Sequence, residues 1–426
     1  MRLAMTVLVG ISLLFSGCGS QMSREKKIVI WHWMNDRQSA FEELAQKYKE
    51  ITGIEVEFKL FSPPDIYAQK VIAAARAKTL PDIFGILGEK KTLASFIKVG
   101  HILELSPYMK EGFPSWQERF YPQALEVTAF KKGNIYGVKE GIYAVPIDTT
   151  VMQFIYNKEL FKKAGLNPQV PPQTFEDFIS YAKRIKEKLG LSGFVCGWGE
   201  SWLLYCLACE WAINIMGEDK FLRTLKGEVP YTDEDWVRVF SLFQRVKEEE
   251  ILYPNITTMI NKEAEDVFSR GGAGFSFNGS WCVNVYRQLN PQLSYGFFSF
   301  PKVGDKEIKV WGGAGSSFMV NANSPNREEA VKFLRWLTQI DQQGFLVKET
   351  NNLPAIKGCE EYLPSVLKSL LPQLNSLTHP NLWSYNEDYR VLEVMNKGLQ
   401  QIVMGIKAPQ EVAQEIQRVK ERVRRE

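Results

Sequence analysis

The chain has 426 residues, 45% of them hydrophobic and 12% aromatic, with 11 tryptophans. That length can bury a large core and points to two or three domains. A formal charge of +3, from 52 basic against 49 acidic residues, is too even for a nucleic-acid partner or for charge-driven binding to an anionic membrane face.

The first element is an apolar run at residues 3–16, LAMTVLVGISLLFS. As a helix it covers roughly 21 Å, short of a bilayer core of about 30 Å. Arg2 precedes the run and small residues follow it, so residues 1–17 read as a secretory signal. The run ends Phe15-Ser16-Gly17-Cys18, which resembles a bacterial lipobox with Phe15 in place of the usual leucine. That resemblance implies acylation of the Cys18 sulfur and cleavage just before it. Residues 18–26 then form a lipidated tether to the membrane, and the rest of the chain is exported.

Strand and helix alternate next. Lys27–Trp33 is β-rich, and Phe41, Leu44, Ala45, Tyr48 and Ile51 recur at helical spacing. Ile54, Val56, Phe58 and Leu60 alternate with polar residues; Pro63-Pro64 opens a helix to about Ala77; Leu80–Leu87 reads as a third strand. This order predicts an α/β fold with a parallel sheet, whose ligand sites lie beyond the carboxyl ends of the strands. The loops Trp33–Arg37 and Gly88–Lys91 are therefore candidates for one wall of a site. The middle is richer in helix and tryptophan. Thr174–Lys188 begins with a Thr-x-x-Asp cap, Thr232–Glu250 is amphipathic, and Pro409–Arg425 sets Val412, Ile416, Val419 and Val423 on one face. The charges of that last helix read as a solvated surface.

Beyond Cys18, five scattered cysteines do not form a disulfide framework. Cys206 and Cys209 are spaced as CxxC, but the apolar run around them suits buried thiols better than redox chemistry. The three histidines, His32, His101 and His379, lie too far apart to predict a metal site, and no cofactor motif is present. HExxH, GxSxG, a P-loop and a complete GxGxxG are all absent. Asp148, Glu200 and Glu89 are the carboxylates from which a glycosidase pair would be drawn. Carboxylates that accept hydroxyl bonds from a bound sugar explain the same residues without catalysis.

Three further segments carry a resemblance. PIDTTVMQFIYNKELFKK supplies Pro146, Ile147, Asp148, Phe154-Ile155, Tyr156-Asn157, Phe161 and Lys163, with Gln153 where a small residue is usual. VFSRGGAGFSFNGSWCVN contributes Asn278, Gly279 and Trp281, and Asn321–Asn326 leads into the helix EEAVKFLRWL. Together with the N-terminal order, these resemble family 1 solute-binding proteins of ABC importers, the group containing oligosaccharide-binding proteins. The resemblance implies a periplasmic-binding-protein-like fold with two lobes hinged about a cleft. It places lobe one at 27–147 plus 315–365 and lobe two at 148–314 plus 366–426, with a hinge near Asp148. It also implies a monomer that captures a carbohydrate and delivers it to the permease subunits of the importer, which recognise its closed form, and that is not an enzyme. An anionic or phosphorylated solute is the alternative ligand, and a surface glycosidase the alternative activity.

Sugar recognition needs flat aromatic faces and planar polar groups. Trp281 aligns with the family's stacking tryptophan; its other reading is a core residue. Trp198, Glu200 and Trp202, in GWGESW, suit a second subsite or, for one of the tryptophans, packing. Trp33 is nearer the open end of the first strand than Trp31 and is preferred to it. Asp36 either accepts ligand hydroxyls or caps the helix that follows, and Glu89 is either a ligand contact or a solvated charge. Trp311 beside Gly312-Gly313, and Trp383 with Tyr385, complete the candidates.

Overall fold

The computed structural model describes residues 27–425 except 63, 88–89, 135, 201, 299–300 and 378–386. Two sheets organise it. The first runs in the order Glu55–Leu60, Lys27–His32, Ile83–Phe84, Ser317–Val320, Val145–Pro146. Its first three strands are parallel, and Ser317–Val320 is antiparallel to both its neighbours. Period-two alternation decides which side chains go to which face. Ile28, Ile30 and His32 turn toward helix Gln38–Thr52, whose Phe41 stacks on Phe58 at 4.7 Å. Trp31, Trp33 and Phe84 turn the other way, toward helices Pro64–Ala77 and Lys90–Lys98.

The helical stripe of Phe41, Leu44, Ala45 and Tyr48 is buried as its spacing predicts, and the helix ends where Gly53 turns left-handed at φ 72°. Ile51, expected in the same stripe, lies in the last turn and is 65% exposed. The expected strand over Leu80–Leu87 contracts to Ile83–Phe84, because ladder pairing with Ile30-Trp31 extends no further.

The second sheet runs Tyr295–Phe298, Asp148–Asn157, Ala273–Gly279, Ser192–Val195. Every residue of Asp148–Asn157 is buried. Its start pairs with Gly312–Ala314 and Leu353–Pro354, and its end enters the second sheet. This one strand therefore runs from the junction of the sheets into the second of them. Each sheet has its own core: Leu353 to Leu374 pack with the first, while the long helices Phe175–Leu189, Trp202–Leu225, Glu234–Glu248, Tyr389–Met404 and Pro409–Arg425 build the second.

Local signals account for several of these ends. Thr174 caps its helix by accepting from Asp177 N–H at 3.1 Å, while Asp177 accepts from Thr174 N–H at 3.0 Å. The helix expected over Thr232–Glu250 runs Glu234–Glu248, with Asp233 as its cap. In the C-terminal helix Lys420 departs from the solvated face: it is buried, with Nζ 2.7 Å from Glu387 and 2.8 Å from the Leu225 carbonyl. All five cysteines after Cys18 are free and buried, and burial pushes the Cys206 thiol well above its ordinary range. Among the described residues no helix is long and apolar enough to cross a membrane.

Candidate ligand-binding site

The strand Ala273–Gly279 carries its side chains into the second core and stops at Gly279, where the chain turns into helix Cys282–Leu289. Trp281 folds back over that strand end. A Cβ on Gly279 would lie 1.9 Å from the indole Cζ3, so only glycine permits the approach. The Trp281 Nε1–H donates to Glu265 Oε1 at 3.2 Å. The same oxygen accepts from Asn278 Nδ2 at 2.8 Å and from Asn261 Nδ2 at 3.0 Å. Burial pushes the Glu265 carboxyl above its usual range, against the lowering effect of these three donors.

Trp202, at the start of the Trp202–Leu225 helix, has its ring 5.9 Å from that of Trp281, tilted by 47°. Its Nε1–H donates to Glu200 Oε2 at 3.0 Å, and Glu200 Oε1 accepts from the Asn261 backbone N–H at 2.9 Å. Asn261 thus serves both glutamates, one through its backbone and one through its amide. The result is a pair of half-buried indoles whose polar edges are tied down and whose rings are fixed at an angle. Such a corner presents flat apolar faces beside carboxylates, which suits a ring with hydroxyls on its rim.

The expected trio in GWGESW therefore divides. Glu200 and Trp202 join Trp281, but Trp198 does not. It is fully buried between Phe194 and Phe243, at 5.6 and 5.8 Å, and is a core residue rather than a ligand contact. Its carbonyl accepts from Gln400 at 2.8 Å, which fixes the loop before the helix. Asn261 and Glu265 escaped the sequence reading. Their only local signal is a polar pair four residues apart on a helix that otherwise buries Ala264 and Phe268.

On the first sheet Trp33 is half-buried, its ring 5.2 Å from Tyr67. Gly85 makes room for it: a Cβ there would lie 2.3 Å from the indole. Trp31 meets Phe61 edge-on at 5.1 Å. Asp36 does not cap the Gln38–Thr52 helix, which has no side-chain cap bond. Its Oδ2 instead accepts from Asn352 Nδ2 at 3.3 Å and, across the junction, from Asn284 Nδ2 at 3.4 Å. Trp33 lies three residues before Asp36 and Trp281 three before Asn284, so this bond links the two tryptophan-bearing segments. Trp311, also half-buried, is held by its backbone: its N–H donates to Glu210 at 2.8 Å and its carbonyl accepts from Met152. Glu89, Trp383 and Cys18 lie outside the described residues.

The junction itself is held by charge. Arg37 is paired with Asp148, and the Asp148 carboxylate accepts from the Ser316 N–H. Both side chains are buried. Burial alone would lower the Arg37 guanidinium, but Asp148 and Asp36 outweigh it and hold the group above its ordinary value. Among the described residues no group of three or more His, Cys, Asp or Glu side chains is arranged to hold a metal ion.

Comparison with known proteins gives the family and the fold. The family model for bacterial extracellular solute-binding proteins matches residues 32–344. A multiple sugar-binding protein of Streptococcus mutans is 23% identical over 389 residues, covering 87% of this chain and 86% of that protein. A melibiose/raffinose/stachyose-binding protein of Bacillus subtilis is 21% identical, covering 97% and 95%. Among solved structures, a chitin oligosaccharide binding protein superposes with TM-score 0.76 at 24% identity, covering 93% of this chain and 99% of its own. The RafE binding protein in complex with raffinose gives 0.70 at 19%, covering 92% and 97%. The fold is thus the two-lobed one of these neighbours, and the chain belongs to the family of bacterial extracellular solute-binding proteins.

Proposed function

We propose that this chain is the substrate-binding component of an ABC importer, capturing an oligosaccharide between its lobes and delivering it to the permease subunits. The observation that carries the reading is the paired indoles of Trp202 and Trp281, each tied through Nε1 to a glutamate. The sugar-binding names of the relatives support it. The polar groups beside these rings are carboxylates and amides, which favours a neutral ring bearing hydroxyls over a phosphorylated solute. The role proposed is binding, not catalysis, by a monomer that closes about the Asp148 junction. The lobe division 27–147 plus 315–365 against 148–314 plus 366–426 is part of the same proposal, with its last boundary moved past Leu374, since Leu367, Leu370 and Leu374 pack in the first core.

A thermal-shift screen of malto-, xylo-, chito- and raffinose-series sugars beside sugar phosphates tests it. A neutral oligosaccharide at 100 times its Kd should stabilise the fold by roughly 2.7 kcal/mol. A shift with sugar phosphates alone would overturn the neutral-sugar assignment, and no shift with any member would overturn the carbohydrate reading.

We further propose anchoring to the outer face of the membrane through lipid on Cys18. Cys18→Ala should abolish incorporation of labelled palmitate and leave the chain uncleaved or soluble. Continued labelling of the variant would exclude this residue as the anchor.

A further inference from the structure

Helix Cys282–Leu289 begins at Trp281 and is contiguous with the second sheet, yet it is attached to the first lobe. Val283 packs in the first lobe's core. One turn on from Trp281, Asn284 is buried and donates to Asp36 at 3.4 Å. Arg287 Nη2 lies 3.1 Å from Asn284 Oδ1 and donates to the Glu349 carbonyl at 3.0 Å. With the Asn351 amide turned so that its oxygen faces the guanidinium, it accepts from Nε at 3.3 Å and Nη1 at 2.8 Å. Glu349 and Asn351 end helix Ile340–Thr350 of the first lobe, Asn351 being its left-handed cap at φ 47°. The carbonyl end of a helix carries partial negative charge, so a guanidinium bonded to it is well placed.

We propose that Arg287 is a positioning residue for ligand capture. It clasps the end of the first lobe's helix and so sets the angle at which Trp281 faces the loop after Trp33. The chain of contacts is continuous: Arg287 to Asn284, Asn284 to Asp36, Asp36 to Arg37 at 3.5 Å, and Arg37 to Asp148 at the crossing. The indole and the clasp share one short helix, since Asn284 N–H donates to the Trp281 carbonyl at 3.1 Å. A shift of the clasp therefore moves the ring. Arg287 itself is solvent-facing and needs no contact with the ligand. The inference rests on the reading of the interlobe cleft as the ligand site.

The test uses the full chain in detergent, with Arg287→Ala, Arg287→Lys and Asn351→Ala. Hydrogen exchange of the ligand-free protein reads the clasp directly. Arg287→Ala should speed exchange together at 282–289 and at 349–353, elements of opposite lobes, with the midpoint of thermal unfolding little changed. Affinity is then read for those neutral oligosaccharides of the screen that shift the wild type. It should fall about 5- to 30-fold, mainly through faster dissociation, with Arg287→Lys recovering only part, because an ammonium cannot span the Glu349 and Asn351 acceptors as a planar fork does. Unchanged exchange at both elements, or unchanged affinity with exchange increased, would overturn the proposal. If no oligosaccharide binds the wild type, the carbohydrate reading fails and the exchange arm alone decides the clasp. If Arg287→Ala does not fold, Asn351→Ala removes two of the contacts from the other side and is judged by the same two readouts.

Discussion

Trp281→Ala is expected to weaken oligosaccharide binding by roughly 30- to 1,000-fold, the effect of truncating an aromatic anchor worth about 2–4 kcal/mol. The fold should lose less. Glu265 Oε1 keeps its bonds from Asn261 and Asn278 when the indole N–H is gone, so no buried carboxylate is orphaned. The ring is half-buried, and Trp202 beside it already packs against the second core, so little apolar surface is newly stranded. Trp198→Ala is the counterpart. That ring is enclosed by Phe194 and Phe243, and its loss should cost about 3–5 kcal/mol of stability, with little change in the affinity of the protein that remains folded. Calorimetric titration and urea denaturation of both variants separate the roles. Near-normal affinity in a badly destabilised Trp281→Ala would move that residue from the site to the core.

Asp148→Ala should be among the most damaging single changes to stability. It leaves the Arg37 guanidinium buried at 7% exposure without its main partner, and it takes the acceptor from the Ser316 N–H. Removing one member of a buried ion pair typically costs about 3–5 kcal/mol. The damage falls where the two sheets join, because Asp148 starts the long strand and Ser316 lies between Gly312–Ala314 and Ser317–Val320. Combining Asp148→Ala with Arg37→Met should recover part of the loss, since no uncompensated charge then stays buried. A single variant that loses less than about 1 kcal/mol would show that water reaches the guanidinium and that the pair does not hold the junction.

Much of this architecture is legible in the chain. The alternation of Val56 and Phe58 with polar residues, the 3–4 spacing of Phe41, Leu44, Ala45 and Tyr48, and the Thr174–Asp177 cap each specify local conformation. These are properties of neighbours in sequence, and no distant residue is needed to read them. The segment Pro146–Lys163 likewise contains the long strand and the helix Lys158–Lys163 whose cap is Asn157, accepting from Glu159 and Leu160 N–H. Family membership followed from such segments in order, and the match over residues 32–344 agrees with it.

The candidate site was legible only in part. Trp198 and Trp202 stand four residues apart in one motif, and periodicity gives no reason to separate them. The Glu234–Glu248 helix separates them, by laying Phe243 over Trp198 and leaving Trp202 at the surface of the core beside Trp281. Asp36 looked like a cap or a ligand contact and became a bridge, because Asn284 and Asn352 arrive from segments some 250 and 316 residues away. Glu265 and Asn261 matter because a strand end brings Asn278 and Trp281 to them. Short-range spacing in the chain specified most of the elements and their apolar faces, while strand length, as at Ile83–Phe84, waited on the partner strand. Which polar or aromatic side chain is covered, shared or left open was decided only when distant elements packed against it, since burial belongs to the pair of surfaces and not to either segment alone.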